Sequence, residues 1–267
     1  MHIIVCMKQV PDPEGAQASF VVDREARRVE PRGIPPVLSL FDENALEAAL
    51  RVKEAQREGD AKVTVISVGK RLSNAVLQKA LAAGADDVVK VEDERLDPAA
   101  LDSRGAAYAL AAVIKTMGKC DLIFTGRQAA DWNAGQVGIG IAHFLGIPAV
   151  TLVRKVDVQA GHAIAERVTA NGYEVVQTPI PAVFVVSNEA GELRYPTLLQ
   201  RRDARAKPVV SLGLAEVDVA GTVPRRLVLR RLFAAEVRVR QCQVIEAVTP
   251  AEAGRKLAQR LRSDGLI

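Results

Sequence analysis

From residue 2 to about residue 153, short apolar runs alternate with longer stretches whose apolar positions recur at helical spacing. His2 to Met7 is the first run, closed by Lys8, and its near-continuous apolar character predicts a strand covered on both faces. Pro11 and Pro13 then break regular structure. Residues 14–40 carry Pro31, Gly33, Pro35 and Pro36 and predict a long loop with a small hairpin around Phe20 to Val29. Asp42 to Glu58 predicts a helix, opened by acidic residues and with Leu46, Ala49, Leu50 and Lys53 at helical spacing. Next come a strand over Lys62 to Val68, ending at Gly69, and a helix over Ser73 to Ala83, closed by Gly84. Asp87 to Val91 gives a third strand, and Asp102 to Met117 a helix stopped by Gly118. A fourth strand over Asp121 to Thr125 leads into a glycine-containing loop and a helical run ending near Leu145. Ile147 to Val153 is the fifth strand.

This alternation predicts an α/β fold: a mostly parallel, Rossmann-like sheet with helices on both faces and strand order 3-2-1-4-5. Such a sheet opens a crevice at the carboxyl ends of strands 1 and 4, where the winding reverses, and ligands bind there. After residue 153 the pattern changes. Ile164 to Thr169, Tyr173 to Thr178 and Ala182 to Val186 read as extended segments that extend the sheet in antiparallel fashion, with Asn171-Gly172 as a hairpin turn. From Ser187 the chain is polar and basic, and residues 209–247 lack clear periodicity. Thr249 to Arg262 is a last helix, with Pro250 in its first turn and Glu252 placed for a capping box. The expected division is therefore an α/β domain over residues 1–186, then a loop and C-terminal arm over residues 187–267.

The loop between the fourth strand and its helix reads GRQAADWNAGQVG, Gly126 to Gly138. Glycines at 126, 135 and 138 between a buried strand and a helix start outline a phosphate cradle, because glycine lets backbone N–H groups approach an anion. The spacing is neither GxGxxG nor the Walker pattern, so the loop is informative only with its neighbours. The predicted topology supplies them. Cys6 to Gln9, Ser39 to Asp42 and Ser67 to Gly69 all open onto the same crevice.

Composition narrows the class. With 267 residues, 49% of them hydrophobic and 25% charged, the chain has the make-up of a globular protein with a full core. Its net charge of +4 is uneven: residues 194–240 hold eleven Lys or Arg against four Asp or Glu, +7, leaving −3 elsewhere. Arginine pairs at 201/202, 225/226 and 230/231 have only Tyr195 and Phe233 as aromatic company, which favours a solvated or partner-docking arm over nucleic acid. Cys6, Cys120 and Cys242 are too scattered for disulfides or a metal cluster and suit a reducing, cytoplasmic compartment. His2, His143 and His162 have no metal-binding spacing. The first residues read as a strand and not a signal peptide, and no run approaches the roughly 20 apolar residues needed for membrane insertion.

Six separated stretches together carry a resemblance: VCMKQVPDP at 5–13, FDENALEAALRVKE at 41–54, LQKALAAGADDVV at 77–89, GRQAADWNAGQVG at 126–138, PAVFVV at 181–186 and RYPTL at 194–198. In this order and spacing the chain resembles the β subunit of electron transfer flavoprotein, including its nitrogen-fixation-associated relatives. The resemblance implies a heterodimer with an α subunit carrying the redox-active FAD, and AMP, or a second FAD in bifurcating members, in the β crevice. It implies cofactor contacts at Cys6, at Ser39, Leu40, Phe41 and Asp42, and at Val68. In the loop it implies them at Gly126, Arg127, Gln128, Ala129, Asp131, Trp132, Asn133, Ala134, Gly135, Gln136 and Val137. The phosphate is expected at backbone N–H groups near Ala134 to Val137, without a lysine.

Ser187 to Leu199 matches the segment that docks redox-partner dehydrogenases, implying roles for Glu189, Ala190, Gly191, Arg194 and Tyr195. Ala190-Gly191 is read where mitochondrial-type members carry a leucine anchor, a difference of about 2 to 3 kcal/mol of possible burial. That departure, Trp132, and Asn171 to Glu174 in place of an acidic stretch point to a divergent subfamily.

The residues also have simpler readings. Cys6 fits a small core residue, Asp131 a helix cap and Trp132 surface packing. Three functions stay open at this stage: an electron-carrier subunit holding AMP, half of a bifurcating flavoprotein with FAD in the same crevice oxidising NADH, and a stand-alone adenine-nucleotide sensor. The last lacks an SGGxDS loop. No residue is assigned a catalytic role.

Overall fold

The computed structural model describes residues 1–57, 59–98, 101–217, 225–234 and 242–267. Its main sheet has nine strands: β1 (His2–Cys6), β2 (Lys62–Gly69), β3 (Asp87–Glu92), β4 (Leu122–Gly126), β5 (Ala149–Gln159), β6 (His162–Thr169), β7 (Gly172–Pro179), β8 (Ala182–Val186) and β9 (Val209–Gly213). They lie in the order β7-β6-β5-β8-β4-β1-β2-β3-β9. The helices are α1 (Leu40–Glu54), α2 (Asn74–Ala83), α3 (Ser103–Met117), α4 (Val137–Leu145), α5 (Leu198–Asp203) and α6 (Pro250–Ser263). Within residues 9–38 are two small antiparallel ribbons, Gln9–Pro11 with Pro36–Leu38 and Phe20–Asp23 with Arg28–Pro31, the second being the expected hairpin.

The α/β class is as the periodicity predicted, and β3-β2-β1-β4 stand in the expected parallel order. One placement differs. The segment over Ala182–Val186 does not extend the sheet antiparallel; it enters it parallel, between β4 and β5. All five of its residues are buried, so it has no polar face to turn outward and needs cover on both sides, which a central strand supplies. β6 and β7 do form the antiparallel extension. At the other edge, β9 pairs parallel with β3, in a region that showed no clear periodicity. Helix α1 stops at Glu54, past its last buried side chain, Val52; residue 58, where the predicted helix ended, lies outside the described residues.

Strand alternation divides the core into two layers. Ile3 and Val5 face one side with Val63, Val65, Phe124, Phe184 and the buried faces of α1 and α2. Ile4 and Cys6 face the other with Ile66, Ile123, Val183, Val185 and the faces of α3 and α4. A period of two along β1 thus assigns successive residues to opposite helix pairs.

Residues 1–232 form one compact unit and residues 233–267 another. In the second, α6 is capped by the Thr249 hydroxyl, which accepts the Glu252 N–H at 3.3 Å, and none of its side chains is buried among the described residues. The arm expected over residues 187–267 includes residues 218–224 and 235–241, which lie outside the described residues.

Because Phe184 and Phe124 pack at 5.3 Å between ring centroids in neighbouring central strands, Phe184→Ala is expected to cost about 3 to 5 kcal/mol. A urea titration checks this, and an unchanged midpoint would count against a central position for β8.

Candidate functional site

The carboxyl ends of β1, β2 and β4 lie side by side, with Cys6 paired to Ile66 on one side and Thr125 on the other. Helix α1 begins at this edge. The Ser39 N–H donates to the Lys8 carbonyl at 2.9 Å, which brings the helix start to the tip of β1. One turn in, the buried Asp42 carboxylate accepts the Lys8 N–H at 2.8 Å through Oδ2 and the Gly126 N–H at 3.1 Å through Oδ1. One side chain thereby joins the ends of β1 and β4 to α1. Segments more than eighty residues apart meet as the topology predicted.

The loop folds back over this edge. A Cβ on Gly126 would lie 2.5 Å from the Phe41 carbonyl carbon, and one on Gly138 would lie 2.4 Å from Thr125 Oγ1 and 2.7 Å from Val185 Cγ2. These two glycines let protein segments approach one another. The Arg127 guanidinium stands over the Phe41 ring at 5.0 Å, the Ala130 N–H approaches the Ser39 hydroxyl at 3.4 Å, and Gln128 donates to Asn133 Oδ1 at 3.1 Å. Asp131 to Gln136 are exposed, with Trp132 50% so.

The loop itself carries no lysine, but one stands beside it: Lys8 Nζ, from just beyond β1, pairs with Asp131 at 2.7 Å. The signal for it was its position directly after the first strand. Val68, partly buried near the end of β2, lies at the same edge of the sheet.

Several polar groups at this edge are unspent. The buried Thr125 and Ser67 hydroxyls and Arg127 Nε have no hydrogen-bonding partner among the described residues. Helix α4 opens at Gln136 without a side-chain cap and without an acidic residue in its first turn. The first N–H groups of a helix have no intrahelical acceptor, and the helix dipole makes that end electropositive. Chemically, this edge can receive an anion through Val137 to Ile139 N–H groups.

Burial pushes the Asp42 carboxyl up to about 7, against the lowering effect of the Lys8 and Gly126 N–H groups and of Lys8's charge. The Cys6 thiol is pushed well above its ordinary value by burial and then by Asp42, which keeps it protonated and argues for a packing role. Among the described residues no cluster of His, Cys, Asp or Glu could hold a metal, and no helix is long and apolar enough to cross a membrane.

The residues expected to meet a partner lie elsewhere. The segment 188–195 runs along α1. Ala190 is 2% exposed and belongs to the core beside α1, so it offers no side chain outward. Arg194 turns inward to Glu47 and Glu54. Glu189 is exposed, Gly191 is half-buried, and Tyr195 is 90% exposed. Leu198, 84% exposed, and Leu199 follow on α5; the sequence reading had not singled them out, although adjacent leucines directly after Tyr195-Pro196-Thr197 were the signal.

A mostly parallel sheet whose carboxyl edge gathers a helix start, a glycine-containing loop and an open helix N-terminus defines a Rossmann-like α/β protein. Residues 29–217 match the family model described as electron transfer flavoprotein domain. The chain is 34% identical over 223 residues to electron transfer flavoprotein subunit beta of Megasphaera elsdenii, covering 81% of this chain and 80% of that one. It is 32% identical over 271 aligned positions to Protein FixA of Azorhizobium caulinodans, covering 97% and 93%. It is 34% identical over 209 residues to the caffeyl-CoA reductase-Etf complex subunit CarD of Acetobacterium woodii, covering 78% and 77%. The chain belongs to the electron transfer flavoprotein family, with the β subunits and FixA proteins, as its six stretches implied.

Gly126→Ala places a methyl group against α1 backbone. The expected result is a loss of about 1 to 3 kcal/mol and faster amide exchange at Lys8; unchanged exchange there would mean that the contact does not hold the two segments together. Asp42 makes a signed pH prediction. Its folded-state value lies above its unfolded one, so its contribution to stability is complete at low pH and is lost as pH rises through about 7. Wild type should lose stability relative to Asp42→Asn between about pH 4 and pH 8. Parallel stability curves in thermal melts would remove Asp42 as the titrating group.

Proposed function

We propose that this chain is the β subunit of a heterodimeric electron carrier and holds AMP at the carboxyl edge of its sheet. The observation that supports this above others is the Asp42 clasp, which gathers β1, the α1 start and the loop into one site. The phosphate meets N–H groups at the α4 N-terminus, where no side chain competes as a cap. Thr125, with its unpartnered hydroxyl, borders the same turn. Ser39 to Asp42 and Val68 flank the nucleoside. Lys8, held by Asp131, sets the electrostatics of the mouth. AMP itself does no redox chemistry and stabilises the subunit by binding its folded form.

An α subunit supplies the redox-active FAD, which exchanges electrons between a dehydrogenase and a downstream acceptor. Residues 187–199 dock the dehydrogenase, and the rest of residues 187–267 is the arm that embraces the α subunit. Helix α6 supports that assignment, since among the described residues it has no buried side chain, and Val248 and Leu257 are exposed.

A second reading places FAD in the same crevice, in a complex that oxidises NADH. The half-exposed Trp132 ring favours it, being a surface on which a flavin could stack.

Co-expression with the α subunit, heat release and mass identification decide the matter. One FAD and one AMP per heterodimer are expected. Two flavins with NADH-driven bleaching would transfer the assignment to the second reading, and a complex with neither flavin nor adenine nucleotide would sink both. For the isolated chain, AMP at a hundred times its Kd should add about 2.7 kcal/mol of stability; an unmoved melting curve at millimolar AMP contradicts the crevice assignment.

A further inference from the structure

The helix that opens the crevice also carries, along one side, a row of polar side chains directed at the docking segment. Asn44 Nδ2 donates to the Gly191 carbonyl at 2.6 Å, and Arg51 Nη1 to the Ala190 carbonyl at 2.7 Å. Between them, Glu47 takes the Arg194 backbone N–H at 3.2 Å, Arg194 Nε at 2.9 Å and Arg194 Nη2 at 3.0 Å, with Arg51 Nε at 3.0 Å. Glu54, two turns beyond Glu47, also receives the Arg194 guanidinium. Residues 44, 47, 51 and 54 are spaced three and four apart, so they form one stripe of α1.

Glu47 is the centre of this network. Its side chain is 6% exposed, and Arg194 reaches it with both its backbone and its guanidinium, so that a single carboxylate fixes the position and the direction of the chain at residue 194. Burial pushes the Glu47 carboxyl up, yet the Arg194 and Arg51 bonds outweigh it and hold the group below its ordinary value.

Apolar packing does less here than elsewhere. Within residues 188–195 only Ala190 and Leu193 enter the core. Beside them a cavity of about 330 Å³ opens between α1 and the β5–β6 ribbon, with Ala48, Arg51, Arg154 and Glu189 in its lining. Immediately downstream, α5 is opened by a capping box between Thr197 and Gln200 yet has none of its six residues buried among the described residues. A helix so short gains little from its own hydrogen bonds. It rests against α2, and the segment that leads into it is tied to α1.

We propose that Glu47 is the positioning residue of the docking segment: acting through Arg194, it holds residues 191–199 in the pose that a dehydrogenase partner engages. This rests on the reading of that segment under Proposed function. The helix whose first turn builds the crevice therefore also registers the docking surface.

The test uses Glu47→Gln, which keeps size and removes charge, with Glu47→Asp as the conservative variant. In the full chain, amide exchange at Gly191 to Leu199 is expected to rise in Glu47→Gln and to return towards wild type in Glu47→Asp, while exchange at Lys8 and Gly126 stays unchanged. In the αβ heterodimer, electron transfer from an acyl-CoA dehydrogenase reduced by its own substrate is expected to show KM raised roughly tenfold with kcat and nucleotide content held, again recovered by Glu47→Asp. Unchanged exchange at residues 191–199 overturns the proposal, as does raised exchange with an unchanged KM. So does a uniform loss across exchange, nucleotide content and kcat, which would make Glu47 a general stabiliser. If the wild-type heterodimer accepts no electrons, the docking reading fails, and the positioning claim is then decided by the exchange data.

Discussion

Two backbone N–H groups at the tips of β1 and β4 find their acceptor in one carboxylate, and the functional edge of the sheet depends on that arrangement. Where strands end, the ladder no longer pairs their donors, and a buried N–H without an acceptor costs about 1 to 3 kcal/mol. Asp42 serves Lys8 and Gly126 at once from the first turn of α1, where a negative charge also suits the helix dipole. The carboxylate is itself buried, so its ionisation is opposed by desolvation and sustained by those same N–H groups and by Lys8. Position 126 must then be glycine, because α1 backbone occupies the space where a Cβ would project. Strand order, helix start and loop entry are thus parts of one constraint.

Helix α1 extends that constraint across the molecule. Its apolar face, Ala45, Leu46, Ala49 and Leu50, is sealed in the core, which leaves the helix little freedom to rotate or slide. Its first turn is tied to the strand tips, and its polar stripe holds residues 190–194. Ion pairs of this partly buried kind add little net stability, because losing water offsets most of the attraction. Their geometric content is greater: a planar guanidinium gripped by two carboxylates has few alternative poses.

Much of this was legible in the chain itself. The period-two and helical patterns gave every main element up to residue 153, because each strand there is a short apolar run and each helix carries an apolar stripe. The order of the first four strands followed from the alternation, since parallel crossovers leave few topologies open. That the tip of β1 would meet the loop more than a hundred residues later followed from the same rule. The family was legible as well, in six stretches spread over the sequence.

Other features depended on tertiary packing. The run Ala182 to Val186 was read as an antiparallel extension until its five buried side chains showed that both faces were covered, and β9, VVSLG, carries neither a continuous apolar run nor a strict alternation. Ala190 was expected to face a partner, from the resemblance, yet the bonds of Asn44 and Arg51 to the Gly191 and Ala190 carbonyls draw the backbone around it onto α1. The pairing of Lys8 with Asp131 could not be read from the chain because the two are 123 residues apart. Sequence determines what each stretch buries and with what period, since that is a local property of side chains. Which polar atoms finally face one another is decided only when the sheet closes, because those contacts join residues whose distance along the chain carries no information about their distance in space.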